Sequence, residues 1–437
     1  MPPLRARPSP LALHRRGFLQ GSAAAFTAGA AGLLAPRPAR AAVSAADRRF
    51  LFVFNNGGWD PTRVFAPVYE HREVDLEPDG ERATSGGITY VDHPGRPSVR
   101  AFFDAHHANT LVLNGVQVRS IAHEICTMIA LTGDTSGFKP DFATIIAAHD
   151  PGGTTLPHLV LDGPSFPGEL GTSVARTGAN GQLDALLSGE IRTWTDTPGP
   201  TLPASYEGLL DRYLARRASG RAAAARGALD GRLAAAWQDA HRKALGLEEY
   251  RYVMDFATAG DLDGQVQVAV DALGTGLARC VSLGFPGAPG GLGWDSHSDN
   301  DDTQSALFEG LFGGLNQLIA LLQSTPGVVA GGTLLDETLV VVLSEMGRTP
   351  KLNNTLGKDH WPYTSMMLVG GGITPDRVVG AYDEGHAGRL VDPRSGELSD
   401  GGRILSAEGV GAALLQLADI DPADWIDGAV PVEGILS

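Results

Sequence analysis

The sequence predicts an α/β protein in which a mostly parallel, doubly wound sheet is flanked by helices. Six short runs rich in Val, Leu and Phe lack alternation with polar residues, as expected for strands that are covered on both faces. Segments with helical periodicity separate these runs, and strands that alternate with helices favour a doubly wound sheet. The expected strands are Phe50–Phe54, Thr110–Val116, His158–Leu161, Cys280–Phe285, Thr338–Leu343 and Ser365–Val369.

The chain after residue 41 is long enough for two domains, but no linker divides it. We therefore expect a single domain over residues 42–437, with a helical insertion at about 203–247. The helices expected between the strands are Val99–His107, Ala122–Leu131, Phe142–His149, Ser205–Leu245, Gly264–Ala278 and Gln304–Gln323.

The helical insertion is rich in Ala and Arg. An arginine-lined helix can bind anions or a membrane surface. A solvated helical hairpin is the alternative that the sequence favours, because the acids Asp211, Asp230 and Asp239 are interleaved with the arginines.

Residues 1–41 are predicted to be a twin-arginine export signal. Arg15-Arg16 precedes an apolar run, Ser22–Ala35, and Ala39-Arg40-Ala41 is typical of a cleavage site. A membrane-anchoring helix is the weaker alternative, since the run has only 14 residues and contains glycines, whereas spanning needs about 20. We expect a periplasmic or secreted protein that meets the twin-arginine translocase during export and keeps no stable membrane span after cleavage.

The charge balance argues against nucleic acid as a partner. Residues 1–41 contain six of the 34 Lys and Arg and none of the 50 acids, so the mature chain has 28 basic and 50 acidic side chains. Such an acidic protein would repel a phosphate backbone. A local basic pocket for a small anionic substrate remains compatible with this balance.

Polar clusters containing metal-ligand residue types follow or precede the predicted strands. Asp60 comes after the first strand, Asp295 and His297 after the fourth, Glu345 directly after the fifth, and His360 before the sixth. Ligands converge at the carboxyl ends of strands in open parallel sheets. Carboxylates and imidazoles hold divalent cations, so we expect a metal site for one or two ions of zinc, manganese or calcium.

The same clusters resemble those of the alkaline phosphatase and sulfatase superfamily, and more closely the Tat-exported, sulfatase-like domain of unknown function 1501. The likeness covers nearly the whole mature chain. It rests on the Arg-Arg signal, Gly57-Gly58-Trp59-Asp60, Asp295-Ser296-His297, Ser344-Glu345-Met346-Gly347-Arg348-Thr349-Pro350 and Asp359-His360.

The superfamily resemblance implies a two-metal hydrolase architecture. Asp60 resembles its first ligand, Asp295 and His297 resemble a second pair, Glu345 stands where a late Asp ligand would be, and His360 resembles the final His. Met346 stands where another His usually follows, so one ion is as compatible with the sequence as two.

The expected nucleophile is replaced. Sulfatases place a modified Cys or Ser eight residues before a Leu-Thr-Gly, and here His123 stands eight residues before Leu131-Thr132-Gly133. His123 can act as a nucleophile, a metal ligand or a general acid or base, and Ser120 is the alternative nucleophile. Arg348 can bind a substrate anion or form an ion pair with Glu345.

Two functions follow from these expectations. The first is an exported metal-dependent hydrolase of a sulfate or phosphate ester on a small molecule or glycan, with His123 and Arg348 as catalytic residues. The second is a non-catalytic binding or scaffold protein that keeps the fold and a structural ion. The missing hydroxyl favours the second function, and the retained acids and imidazoles favour the first.

Overall fold

Eight strands form one sheet in the computed structural model, which describes residues 43–177, 182–188, 190–192, 198–200, 203–288, 291–329 and 331–437. From edge to edge the strand order is β8-β2-β7-β6-β1-β5-β3-β4. These strands are β1 (Arg49–Phe54), β2 (Thr110–Gln117), β3 (His158–Val160), β4 (Val174–Arg176), β5 (Cys280–Gly284), β6 (Thr338–Leu343), β7 (Tyr363–Gly370) and β8 (Arg377–Gly380).

The sheet is parallel except at one strand. β7 runs antiparallel to both of its neighbours, β2 and β6, whereas every other neighbouring pair in the sheet is parallel. Consequently the beginning of β7 lies beside the ends of the other central strands. The register places Tyr363 opposite Gln117, and Met366 opposite Leu343.

Helices cover both faces of the sheet, which confirms the doubly wound arrangement expected from the sequence. Alternate residues of the strands point to opposite faces. Leu51 and Val53 lie in one apolar cluster, and Phe50, Phe52 and Phe54 lie in the other. The helices are α1 (Pro97–His106), α2 (His123–Thr132), α3 (Phe142–Ala148), α4 (Gln182–Ser188), α5 (Ala204–Ala223), α6 (Ala228–Leu247), α7 (Leu262–Gly274), α8 (Asn300–Ser324), α9 (Leu334–Glu337) and α10 (Ala407–Leu417).

All six expected strands are present in the sheet, with ends that differ by at most two residues. The edge strands β4 and β8, which are only three and four residues long, were not expected from the sequence. Helix α10, which packs against α2 and α3, was not expected either. Short edge strands carry too few residues to give a clear periodic pattern.

The helical insertion contains two helices, α5 and α6, which pack against each other. Residues 1–41, with the expected export signal, lie outside the described residues. In the described part of the chain, α8 is long and apolar enough to cross a membrane by length and composition alone. However, α8 packs against α1 and α7 in the core.

Cys126 and Cys280 are both buried free thiols. Burial raises the pKa of the Cys126 thiol to about 11. A thiol held in its protonated form is a poor nucleophile, so neither the fold nor the chemistry assigns these cysteines a catalytic part.

Candidate metal centre

The predicted site residues lie at the carboxyl edge of the sheet, and His360 reaches that edge because β7 is reversed. Loops that follow β1, β2, β5 and β6 all leave the sheet at its carboxyl edge. The segment with His360 precedes β7, and the beginning of that antiparallel strand lies at the same edge. Four segments far apart in sequence and the start of α2 therefore meet in one place.

The loop after β1 makes a tight turn that only glycine fits. Gly57 and Gly58 have φ values of 127° and 80°. A Cβ on Gly57 would lie 2.7 Å from the amide nitrogen of Asp295. The turn directs the Gly57 amide to Glu345 Oε1 at 2.7 Å and the Gly58 amide to Ser344 Oγ at 3.2 Å. Hydrogen bonds thus join the loop after β1 to the loop after β6, and Gly57 lets it pack closely against the loop after β5.

His123, Asp295 and His360 form a three-residue cluster in which each offers one ligand atom and all three atoms lie within 4.8 Å of one another. Asp295 Oδ1 lies 3.1 Å from His360 Nε2 and 3.5 Å from His123 Nε2. The Nε2 atom of His123 is buried, and no described residue forms a hydrogen bond with it. A buried polar atom without a partner is costly, which makes it a candidate ligand atom.

The hydrogen bonds behind this cluster fix the tautomers of two imidazoles. His123 Nδ1 donates to Glu345 Oε1 at 2.7 Å, and His360 Nδ1 donates to the carbonyl oxygen of Ile121 at 2.7 Å. Carboxylate and carbonyl oxygens only accept, so each Nδ1 carries the proton and each neutral ring presents a lone pair at Nε2. Ligating histidines are held in this way by a second group behind the ring.

His297 adds a third imidazole with the same arrangement. Its Nδ1 donates to Asp359 Oδ1 at 3.0 Å, so its Nε2 also presents a lone pair in the neutral ring. This Nε2 lies 3.0 Å from His360 Nε2 and 3.1 Å from Asp295 Oδ1. Two lone pairs that face each other at 3.0 Å repel, and a cation or a shared proton removes the repulsion.

The charges around Asp295 keep it ionised. Burial raises the pKa of the Asp295 carboxyl, but the hydrogen bond and positive charge of Arg348 outweigh burial and the pKa is lowered to about 2. The hydrogen bond from His123 to Glu345 raises the pKa of His123. The centre therefore combines an anionic oxygen with three imidazoles.

The spacing of these atoms fits a divalent ion. In a tetrahedral zinc site with bonds of about 2.1 Å, neighbouring ligand atoms lie roughly 3.4 Å apart. Asp295 Oδ1 lies 3.1 Å from His360 Nε2 and 3.5 Å from His123 Nε2, which matches this spacing. Three protein ligands with an open position are typical of catalytic zinc sites. The side chain of Asp295 is 47% exposed and that of His297 is 46% exposed, so the centre is open to solvent.

Arg348 is fully buried behind the centre and pairs with Asp295 instead of Glu345. Its Nη2 lies 2.7 Å from Asp295 Oδ1 and also donates to the carbonyl oxygen of Gly57. Nε donates to the Gly58 carbonyl at 2.8 Å, and Nη1 donates to the Lys358 carbonyl at 3.0 Å. The sequence left open a substrate anion or Glu345 as the partner of Arg348, and the structure pairs the guanidinium with Asp295 and backbone carbonyl oxygens.

Asp60 lies in a buried ion-pair network outside the three-residue cluster. Its Oδ2 is 2.8 Å from Lys358 Nζ and 3.0 Å from Asn300 Nδ2, and its Oδ1 accepts from the Thr62 amide at 3.0 Å. Arg63 Nη1 lies 3.7 Å from Oδ2. Burial opposes the charge on Asp60, but Lys358 and Arg63 hold its pKa well below the usual range. These cations compensate the carboxylate that the sequence assigned to a metal.

The roles of Asp359 and Lys358 were not predictable from the sequence. Asp359 precedes His360 in the chain, yet its side chain contacts His297, which lies 62 residues earlier. Lys358 carries no signal of its own, because an isolated lysine in a polar loop is ordinarily exposed. Trp59 and Trp294, which adjoin site residues, are fully buried core residues that contact Phe308.

The fold and the centre define the class of protein: a doubly wound α/β protein with a candidate histidine–carboxylate metal centre at the carboxyl edge of its sheet. The chain belongs to the family described as Protein of unknown function (DUF1501), whose model matches residues 47–394. This confirms the family expected from the sequence.

Several solved structures are similar to this chain. A lipoteichoic acid synthase from Listeria monocytogenes is 9% identical, with 90% of this chain and 77% of that chain covered and a TM-score of 0.41. A sulfatase from Pseudoalteromonas sp. is 10% identical, with 90% and 72% covered and a TM-score of 0.39. A phosphonate monoester hydrolase from Silicibacter pomeroyi is 12% identical, with 90% and 77% covered and a TM-score of 0.35. No curated protein matches the chain.

Proposed function

We propose that the protein is an exported, metal-dependent hydrolase of a sulfate or phosphate ester. The observation that carries this proposal is the convergence of three imidazole Nε2 atoms on Asp295 Oδ1. The Nδ1 atom of each ring donates a hydrogen bond to an acceptor on the side of the ring away from Asp295. A scaffold protein has no need for such an arrangement at a solvent-open edge.

His123, Asp295 and His360 are the proposed ligands of one divalent ion. Glu345 and Ile121 orient the two imidazoles, and Arg348 orients Asp295. A bound ion would polarise the sulfuryl or phosphoryl oxygen and activate water for attack. We propose a single ion, because Lys358 and Arg63 already compensate the charge of Asp60.

His297 is the proposed general acid and base. It is half-exposed, its Nδ1 proton is held by Asp359, and its Nε2 can accept a proton. A water molecule attacks sulfur or phosphorus and gives one proton to His297 Nε2, as the bond to the ester oxygen breaks. The proton is then delivered to the leaving oxygen. This sequence needs no hydroxyl or thiol nucleophile on the protein.

The proposed substrate is anionic, a sulfate or phosphate ester of a small molecule or glycan. Nucleic acid is not proposed as a partner, because the chain has 34 basic and 50 acidic side chains. We propose export by the twin-arginine translocase to the periplasm or the medium, as the Arg15-Arg16 signal indicates.

A non-catalytic role with a structural ion is the second candidate. This candidate is favoured by His123, because an imidazole stands there at the position where the sequence resemblance would place the nucleophile. The alternative nucleophile Ser120 has its Oγ 3.2 Å from the Ala122 amide, from which it accepts a hydrogen bond. The two candidates differ in one measurable respect, since only the hydrolase turns over an ester.

We expect protein purified without a His tag to contain about one equivalent of a divalent metal per chain. The measurement is elemental analysis by mass spectrometry, followed by assay of aryl sulfates and aryl phosphates before and after chelation. Turnover should fall on chelation and return with the metal. Less than about 0.2 equivalents of any divalent metal would contradict the metal site, and two equivalents would contradict the single-ion site. Metal without turnover would favour the structural role.

We expect His297→Ala to keep the metal and to lower kcat by about 100-fold or more, since it removes the proposed acid and base but not a proposed ligand. The measurement is metal content together with steady-state kinetics. His93→Ala, which removes a histidine outside the centre, is the matched control. Loss of the metal from His297→Ala would instead make His297 a ligand, and unchanged kcat would remove it from the reaction.

A further inference from the structure

Helix α5 exposes an apolar stripe on its outer face. Tyr206, Leu209, Leu210 and Tyr213 follow the spacing of one helix face, and their exposed fractions lie between 43% and 64%. Large apolar side chains grouped in this way on a protein surface indicate a binding face.

The arginines of α5 adjoin this stripe. At 100° per residue, Arg212 and Arg216 project on one side of the stripe, and Arg217 projects within it, between Tyr206 and Leu210. All three side chains are exposed. An apolar stripe of Tyr and Leu with adjoining arginines is typical of helices that lie in a membrane interface.

The acids of α5 are on the opposite side of the helix. Glu207 and Asp211 share the half-buried face with Leu214 and with Ala218, which is fully buried. This face is turned towards α6, and His241 Nε2 of α6 lies 3.2 Å from the carbonyl oxygen of Asp211. On α5 the two acids and the arginines therefore lie on different faces.

The hairpin is also basic within an acidic protein. Residues 204–247 contain eight Lys and Arg and four Asp and Glu, whereas the whole chain has 34 basic and 50 acidic side chains. A second copy would bring the same positive charge to a symmetric contact, and the like charges would repel. An anionic surface is complementary to the hairpin in both charge and apolar character.

We propose that the outer face of α5 docks the protein on an anionic phospholipid surface. Tyr206, Leu209, Leu210 and Tyr213 enter the interface between headgroups and acyl chains, and the adjoining arginines contact lipid phosphates. The sheet and its metal centre remain in the aqueous phase beside the membrane. This proposal is independent of the proposed ester hydrolysis.

The test is co-sedimentation of the mature protein with vesicles of phosphatidylcholine alone or mixed with phosphatidylglycerol. We expect at least about tenfold tighter binding to the anionic vesicles, weakened by added salt. Leu209→Ser with Tyr213→Ser removes apolar area, and Arg216→Gln with Arg217→Gln removes charge. Each double variant should bind at least about tenfold more weakly than the wild type.

Arg394→Gln with Arg403→Gln, a pair of exposed arginines outside the hairpin, is the charge-matched control and should bind as the wild type does. Thermal unfolding checks that all variants are folded. Equal binding to both vesicle types, or anionic binding that neither hairpin variant weakens, would overturn the proposal. So would a wild-type dimer in light scattering that Leu209→Ser with Tyr213→Ser converts to a monomer, because the stripe would then be covered by a second copy.

Discussion

Asp295→Ala is expected to lose the bound metal and to lower turnover by at least about a thousandfold. Asp295 Oδ1 is the atom that the three imidazoles share, at 3.1 to 3.5 Å from their Nε2 atoms. Without it, the proposed ion loses its only anionic ligand. Metal content and kcat/KM on aryl sulfates and aryl phosphates measure the effect.

Two further variants separate the metal from folding. Asp295→Ala also leaves Arg348 buried without its carboxylate, so its thermal unfolding must be compared with that of the wild type. His360→Ala removes a proposed ligand without touching Arg348 and should lose the metal as well. Asp400→Ala, at an exposed loop position, is the matched control. A folded Asp295→Ala variant with wild-type metal content would refute the assigned ligand.

Lys358→Met is expected to lower the free energy of unfolding by about 3–5 kcal/mol. Asp60 and Lys358 are both fully buried, and their charged atoms lie 2.8 Å apart. Removing the ammonium leaves a buried carboxylate whose charge only Arg63, at 3.7 Å, still compensates. Urea denaturation at neutral pH gives the change in free energy.

The double variant Asp60→Asn with Lys358→Met is the control for the pair. Because it removes both charges, it should be less destabilised than the sum of the two single variants. The depressed pKa of Asp60 also fixes the sign of the pH effect. The stabilisation is present above the unfolded-state pKa of about 3.9 and is lost as pH falls below it. The stability difference between the wild type and Asp60→Asn should therefore shrink below about pH 4, and additive single effects would argue against the ion pair.

The central strands of the fold were predictable because they are buried on both faces. Thr338–Leu343 and Phe50–Phe54 are uninterrupted apolar runs, and such runs identify covered strands without any knowledge of their neighbours. Strand direction was not predictable in this way. The reversal of β7 depends on pairing with β2 and β6, which lie far away in sequence.

The residue types of the centre were also predictable, but their partners were not. His297 and His360 stood out because each lies close to an acid in a loop at the edge of the sheet. The structure pairs His297 with Asp359 and gives His360 the carbonyl oxygen of Ile121. Local spacing gave no sign of these contacts, since they span 62 and 239 residues.

The central strands, most of the longer helices, the family and the set of polar residues at the sheet edge follow from the sequence alone, because periodicity and short motifs are local properties of the chain. Which of those polar residues contact one another is known only from the tertiary structure. It joined His123, Asp295 and His360, paired Asp60 with Lys358, and turned the acids of α5 away from its arginines. These outcomes depend on distances of a few ångströms between distant segments, and such distances are set by packing.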